Sequence, residues 1–260
     1  LCTSEQFDTL VYREWCELLN SPPRFSRKQW EFVYILQSLS QNGCLVEGKS
    51  GLGFGCGKEP LPGIYARFGC DVVATDLDSQ DAAALGWVNS GQHSSSLSDL
   101  WQAAGKAINL DVFTQHVRFD FADMNATPEI YRSSFDFVWS ECALEHLGSL
   151  QHGFDFIRSS LDCLKPGGVA VHTTEFNLSS NHETMETPEC SVYRKRDIEK
   201  FIKQVTDDGF EVAPLNLHTG SRSLDRFIDL PPYRLSPHLK LMLQRFVVTS
   251  IGLTIRKPMT

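Results

Sequence analysis

The chain has 260 residues, 42% of them hydrophobic, which is enough to bury a substantial core and reads as one elaborated domain. Its formal net charge of −8, with acidic and basic residues interspersed, leaves no broad basic face and argues against long nucleic acid as a partner. The eight cysteines form no C-x-x-C pair, no apolar run reaches the ~20 residues of a membrane span, and the opening residues lack a signal-peptide layout, so the expectation is a soluble, cytoplasmic chain with reduced thiols and no bound metal.

Residues 4–40 read as helical. Phe7, Leu10, Val11 and Trp15, then Trp30, Val33, Tyr34 and Leu36, recur at helical spacing on either side of the breaker "NSPPRFS". From about residue 49 short apolar runs alternate with helix-like stretches: "GLGFG", "DVVATDLD", "VRFDFADM", "FDFVWSE", "GVAVHTTEF", "FEVAPLNL" and "FVVTSIGLTIRK". Such runs are what parallel strands covered on both faces look like. They predict an α/β, doubly wound, mostly parallel seven-stranded sheet. The last run closes the chain as an edge or hairpin strand would. Residues 1–44 are then an N-terminal helical extension or cap, and residues 45–260 the main domain. Long connections at about 86–116, 177–194 and 217–237 are expected to wall the site, because ligands bind outside the carboxyl ends of such strands.

The stretch "GLGFGCGKE" places four glycines in alternate positions, which is costly in a strand. Gly55 and Gly57 in the first turn let the backbone pass a nucleotide-like ligand. Asp76, 21 residues beyond Gly55 at the end of the second run, can accept bonds from both ribose hydroxyls. The pair predicts an adenosine-containing ligand. Pro60 stands where the dinucleotide fingerprint needs its last glycine, and no G-x-x-x-x-G-K-[ST] is present, which disfavours NAD and ATP.

In this order of segments the chain resembles the class I S-adenosylmethionine-dependent methyltransferases, from about residue 45 to the end. "GFGCGKE" is similar to the family's glycine-rich motif, "ATDLD" to its second, "FDFADMN" to its third, "FDFVWSECALEHLGSL" to the fourth strand and its loop, and "LKPGGVAVHTTEF" to the turn into the fifth. The resemblance implies a Rossmann-like methyltransferase fold, S-adenosyl-L-methionine as cofactor and S-adenosyl-L-homocysteine as product. It implies Gly53, Gly55 and Gly57 under the methionine part, Asp76 on the ribose, Leu77, Asp123 and Met124 around the adenine, and Ser140 near the cofactor. Two departures stand out: Gly53 replaces the usual acidic residue ending the first strand, and Glu59 the third glycine. Glu59 or Glu47 is then the carboxylate for the cofactor's amino group.

Methyl transfer from a sulfonium needs alignment of the acceptor and, for a hydroxyl, removal of its proton. The segments "SECALEHL" and "HTTEFNLSSNHE" supply His146, Glu141, His172 and Glu175 as candidate bases, with His146 preferred because its loop follows the fourth strand. Glu175, His182, His218 and His238 form an irregular set that could alternatively hold a metal. "DLPPY" is read as a stiff loop with Tyr233 as a stacking wall. The expected activity is O-methylation of a small polar acceptor such as a sugar or glycan terminus. The alternatives are a secondary metabolite or small amine as acceptor, and a non-catalytic cofactor sensor.

Overall fold

Thr9 caps helix α1 (Leu10–Leu18), its Oγ1 accepting from the Tyr12 amide at 3.2 Å. Pro22 and Pro23 then interrupt helical continuation before α2 (Arg27–Gln41). A computed structural model of the chain describes residues 1–84, 86–105 and 108–259. Along α2, Trp30, Val33, Leu36 and Leu39 recur three apart and enter one apolar cluster with Phe137, Trp139, Val169 and Val171. The Tyr34 ring fills the space above Gly252, where a Cβ would lie 2.1 Å from it, and its hydroxyl bonds Thr254 Oγ1 at 3.1 Å. The N-terminal helices therefore share a core with the sheet.

The sheet is built as its apolar runs predict. Strands β1 (Ser50–Phe54), β2 (Asp71–Asp76), β3 (Val117–Phe121), β4 (Phe135–Glu141) and β5 (Leu164–Asn177) are parallel, in the spatial order β3-β2-β1-β4-β5. The run expected as β6 shrinks to Glu211–Val212, because Pro214 has no amide hydrogen with which to extend the ladder. A three-residue strand, β7 (Leu241–Leu243), adds an eighth member. It makes a hairpin with the final strand, β8 (Phe246–Arg256), which runs antiparallel between β5 and β6. The hairpin expectation holds, whereas the edge position belongs to β6.

Successive strand residues point to opposite faces, so two apolar layers form. On one face α3 (Leu61–Arg67) sets the Tyr65 ring edge-on to Trp139 at 4.7 Å. On the other, α8 (Leu150–Asp162) sets Phe156 edge-on to Phe54 at 5.1 Å, and α9 (Lys195–Asp207) buries Ile198, Phe201 and Val205. The connection between β2 and β3 carries α4 (Ser79–Ala84), α5 (Trp87–Ser90), α6 (Leu97–Ala104) and α7 (Leu110–His116). It is thus largely helical rather than a loop, and residues 106–107 of it lie outside the described residues.

The strand glycines respond to their neighbours. Gly51 pairs with Phe137 and Gly53 with Trp139, and a Cβ at either would lie 2.3 or 2.2 Å from the facing ring. Strand order reverses between β1 and β4, which opens a crevice at their carboxyl ends.

Candidate active site

That crevice is a cavity of about 680 Å³, walled by the residues that follow β1, β2, β3 and β4 and by Lys28 and Phe32 of α2. At its β1 side the chain turns through Gly55 and Gly57, at φ of +59° and +49°. Side chains there would collide: a Cβ on Gly55 would lie 2.9 Å from Ala143 Cβ, and one on Gly57 2.6 Å from the Gln92 carbonyl oxygen.

Asp76 closes β2 beside this turn and is 9% exposed. Its Oδ2 accepts from the amides of Gly57 at 3.1 Å and Ser94 at 3.0 Å, and its Oδ1 from that of Leu77 at 2.8 Å. Burial raises its pKa, against those three bonds and the nearby His93. A carboxylate has about four acceptor sites, so one direction on Oδ1 stays open to a ligand hydroxyl. Leu77, Asp123 and Met124 line the same end, and His93 Nε2 lies 2.9 Å from the Leu77 carbonyl.

Further carboxyl groups gather within reach of Lys28. Glu59, just before α3, is 3% exposed and accepts from Trp139 Nε1 at 2.5 Å, while its Oε2 has no hydrogen-bond partner among the described residues. Burial pushes Glu59 up to about 8, against the bond from Trp139. Lys28 Nζ lies 3.3 Å from Glu141 Oε1 and 3.5 Å from Glu31 Oε2. Burial drives Glu141 well above the usual carboxylate range, with Lys28 opposing and Glu31 adding repulsion, so its protonated form is favoured. Burial pushes Glu31 the same way, but Lys28, the bond from Glu141 and Arg27 outweigh it and leave Glu31 at about 2.

His146 stands at the rim, its ring edge-on to Trp87 at 4.5 Å between centroids. Its Nδ1 lies 2.7 Å from the Glu189 carbonyl oxygen. A carbonyl only accepts, so Nδ1 donates to it, and Nε2 is the ring nitrogen left for a ligand.

The cavity therefore collects Gly55, Gly57, Glu59, Asp76, Leu77, Asp123, Met124, Glu141 and His146 from the residues expected at the site. Four others lie elsewhere. Gly53 faces Trp139 rather than the cavity. Ser140 and His172 are fully buried and bonded to each other at 2.8 Å, with Ser160 Oγ 3.1 Å from the other His172 nitrogen. Burial lowers His172 to about 3, which makes it a satisfied core histidine and no base for a cavity ligand. Glu175 points behind the cavity and pairs with Arg27 at 2.5 Å.

The irregular metal set also disperses. His238 bonds Asp229 at 2.7 Å, His218 lies 3.9 Å from Glu5, and Glu175 is held by Arg27. Tyr233 does not wall the cavity: its hydroxyl donates to the Met242 carbonyl at 2.7 Å. Sequence reasoning missed Lys28, Phe32, Gln92 and His93. The first two sit on a helix far upstream of the sheet, and the others in a segment with no periodicity.

Residues 28–213 match the family model described as a methyltransferase domain. Comparison with curated protein sequences finds no significant match. Among solved structures, the cyclase SpnF is similar with a TM-score of 0.55 at 15% identity, covering 87% of this chain and 82% of its own. Magnesium protoporphyrin IX methyltransferase from Synechocystis PCC 6803, with S-adenosylhomocysteine bound, gives a TM-score of 0.51 at 12% identity, with 97% of each chain covered. The glycopeptide N-methyltransferase MtfA gives 0.50 at 14% identity, covering 86% of this chain and 94% of its own. At these identities the likeness is one of fold. No helix among the described residues is long and apolar enough to cross a membrane.

Proposed function

The chain belongs to the class I S-adenosylmethionine-dependent methyltransferases, and from that premise we propose that it methylates a hydroxyl of a small polar acceptor, a sugar or glycan terminus being the favoured class. The observation that carries this reading is the polar lining of the cavity, in which the pair Lys28 and Glu141 shares a wall with His146 and Asp76.

The residues present fit the cofactor. The Gly55 and Gly57 turn is a cradle that any Cβ would fill, and Asp76 keeps one acceptor direction open for a ribose hydroxyl. Leu77 and Met124 offer apolar cover for an adenine, and Asp123 an acceptor for its amine. S-adenosylmethionine supplies a methyl group already activated on a sulfonium. The chain has to align the acceptor, exclude water and take up a proton. His146 Nε2 takes the acceptor's O–H proton in this reading, because burial raises Glu141 and disfavours its ionised, proton-accepting form. Lys28 and protonated Glu141 then orient the acceptor by hydrogen bonds. Residues 1–44 act as the cap that contributes Lys28 and Phe32 to the wall. The eight free thiols suit a reducing, cytoplasmic compartment.

A second reading is an amine or secondary-metabolite acceptor, favoured by Glu59 and Glu141 in the cavity wall, whose carboxyl groups would ionise on receiving a cation. The test incubates the protein with S-adenosylmethionine and separate pools of sugars, glycans and amines. Methylated product and S-adenosylhomocysteine are followed by mass spectrometry. Product in the sugar pool supports the proposal, product only in the amine pool replaces it with the second reading, and cofactor binding without any product points to a sensor.

A further inference from the structure

Three residues from separate elements depend on one another at the inner end of the cavity. Gly53 has no side chain, and the Trp139 ring occupies the space that a Cβ would take, 2.2 Å from it. Seated there, fully buried, the indole donates from Nε1 to Glu59 Oε1 at 2.5 Å. That bond leaves Oε2 of a nearly inaccessible carboxyl group in the cavity wall with no partner of ordinary hydrogen-bond geometry among the described residues, although the Cys56 thiol also lowers the carboxyl group's pKa. An unsatisfied buried carboxyl oxygen is costly, and in a cavity wall a bound donor is one way to satisfy it. The surroundings narrow its chemistry. Cys56, Asp76, Tyr65 and Glu141 stand near Glu59, and Lys28 is the cation whose field reaches it. An unpaired carboxyl oxygen takes an N–H donor, and a positively charged donor favours the ionised form of the carboxyl group.

We propose that Glu59 and Trp139 form the recognition unit for the cofactor's amino group: Trp139 fixes one carboxyl oxygen and the other receives the ammonium. Gly53 is the residue that makes room for the arrangement, and Trp139 is a positioning residue. The proposal rests on the methyltransferase reading above. It adds an expectation about protons. Burial keeps Glu59 mostly protonated at pH 7, so receipt of an ammonium ionises it and releases one proton.

The test is titration calorimetry with S-adenosylhomocysteine and with its deaminated analogue, on the parent protein, Glu59→Gln and Trp139→Phe. The parent should bind the deaminated analogue about 10- to 100-fold more weakly than S-adenosylhomocysteine, the range for a charge-assisted hydrogen bond. In Glu59→Gln that difference should shrink to about twofold, with most of the loss on S-adenosylhomocysteine, and Trp139→Phe should fall between. Titration of the parent in buffers of different ionisation enthalpy should register the released proton, which Glu59→Gln should lack. Equal binding of the two ligands by the parent overturns the proposal even if the variants do not fold, and so does a Glu59→Gln variant that weakens both ligands alike. If instead the amine-pool product forms and only acceptor affinity falls in Glu59→Gln, the carboxyl group serves the acceptor and the proposal is wrong. A parent that binds neither ligand sinks the methyltransferase reading itself, a different outcome from equal binding.

Discussion

Arg27, in the first turn of α2, donates from Nη2 to Glu175 Oε1 of β5 at 2.5 Å, and from Nη1 to Glu31 Oε1 at 3.1 Å. Ser250 of β8 bonds the same Glu31 oxygen. The guanidinium thus ties the N-terminal cap to two inner strands through groups that are nearly all out of solvent. Removing one member of such a set leaves the remaining charges buried and uncompensated.

Arg27→Met is therefore expected to destabilise the protein by about 3–5 kcal/mol, read as a lower urea midpoint with unchanged slope. Adding Glu175→Met should recover part of that loss. An unchanged midpoint in Arg27→Met would show that α2 is held to the sheet by its apolar face alone.

The environment of His172 makes a pH prediction with a definite sign. The folded-state value is about 3 and the unfolded one about 6.5, so between those limits the unfolded chain binds the extra proton. The stabilising contribution is complete above about pH 6.5 and is lost as pH falls toward 3, at up to about 1.4 kcal/mol per pH unit. Thermal unfolding should show this slope in the parent and a flatter one in His172→Gln. Methyl transfer should survive in His172→Gln at neutral pH, because the ring faces Ser140 and Ser160 and not the cavity.

Asp76 joins the turn, the strand end and the segment around Ser94 through three amide bonds. Asp76→Ala frees those amides and removes the open acceptor direction, so S-adenosylhomocysteine affinity should drop by about 100-fold or more. Asp76→Asn keeps one acceptor oxygen and should lose less. Calorimetry beside a melting curve separates ligand loss from unfolding, and an Asp76→Ala protein that binds normally would contradict the ribose role.

Two side chains compete for the proton-accepting role, and their variants should diverge. His146→Ala should lower kcat by about 10²–10⁴-fold while S-adenosylhomocysteine binding holds within about twofold. Glu141→Gln should cost less than about tenfold, because a protonated carboxyl and an amide present similar hydrogen-bonding groups. The reverse ranking would move the base to Glu141 and its neighbour Glu31.

Much of the architecture was open to reading from residues alone. Strands β1, β2, β4 and β5 are covered on both faces, so they appear as nearly continuous apolar runs, whereas β3 at the sheet edge is largely exposed. Asp76 was recognisable because it ends such a run at the right distance from a glycine turn, and both features are local in sequence. Their joint position at one end of the sheet then follows from right-handed crossover topology, which leaves few alternatives.

Other features needed the folded chain. His172 and Glu175 sit on a strand hidden on both sides, where alternation cannot say which residues see the cavity, so two expected bases became a core histidine and an ion-pair anchor. Lys28 and Phe32 reach the cavity only because α2 packs on the sheet near the ends of β4 and β5, a long-range contact with no sequence marker. The alternating glycines themselves divide by location. Those in the turn serve the cavity, while Gly51 and Gly53 yield to Phe137 and Trp139 on the neighbouring strand. Composition and spacing determined that side chains were unwelcome along that stretch. Only strand register, a property of two segments more than eighty residues apart in sequence, decided what takes their place.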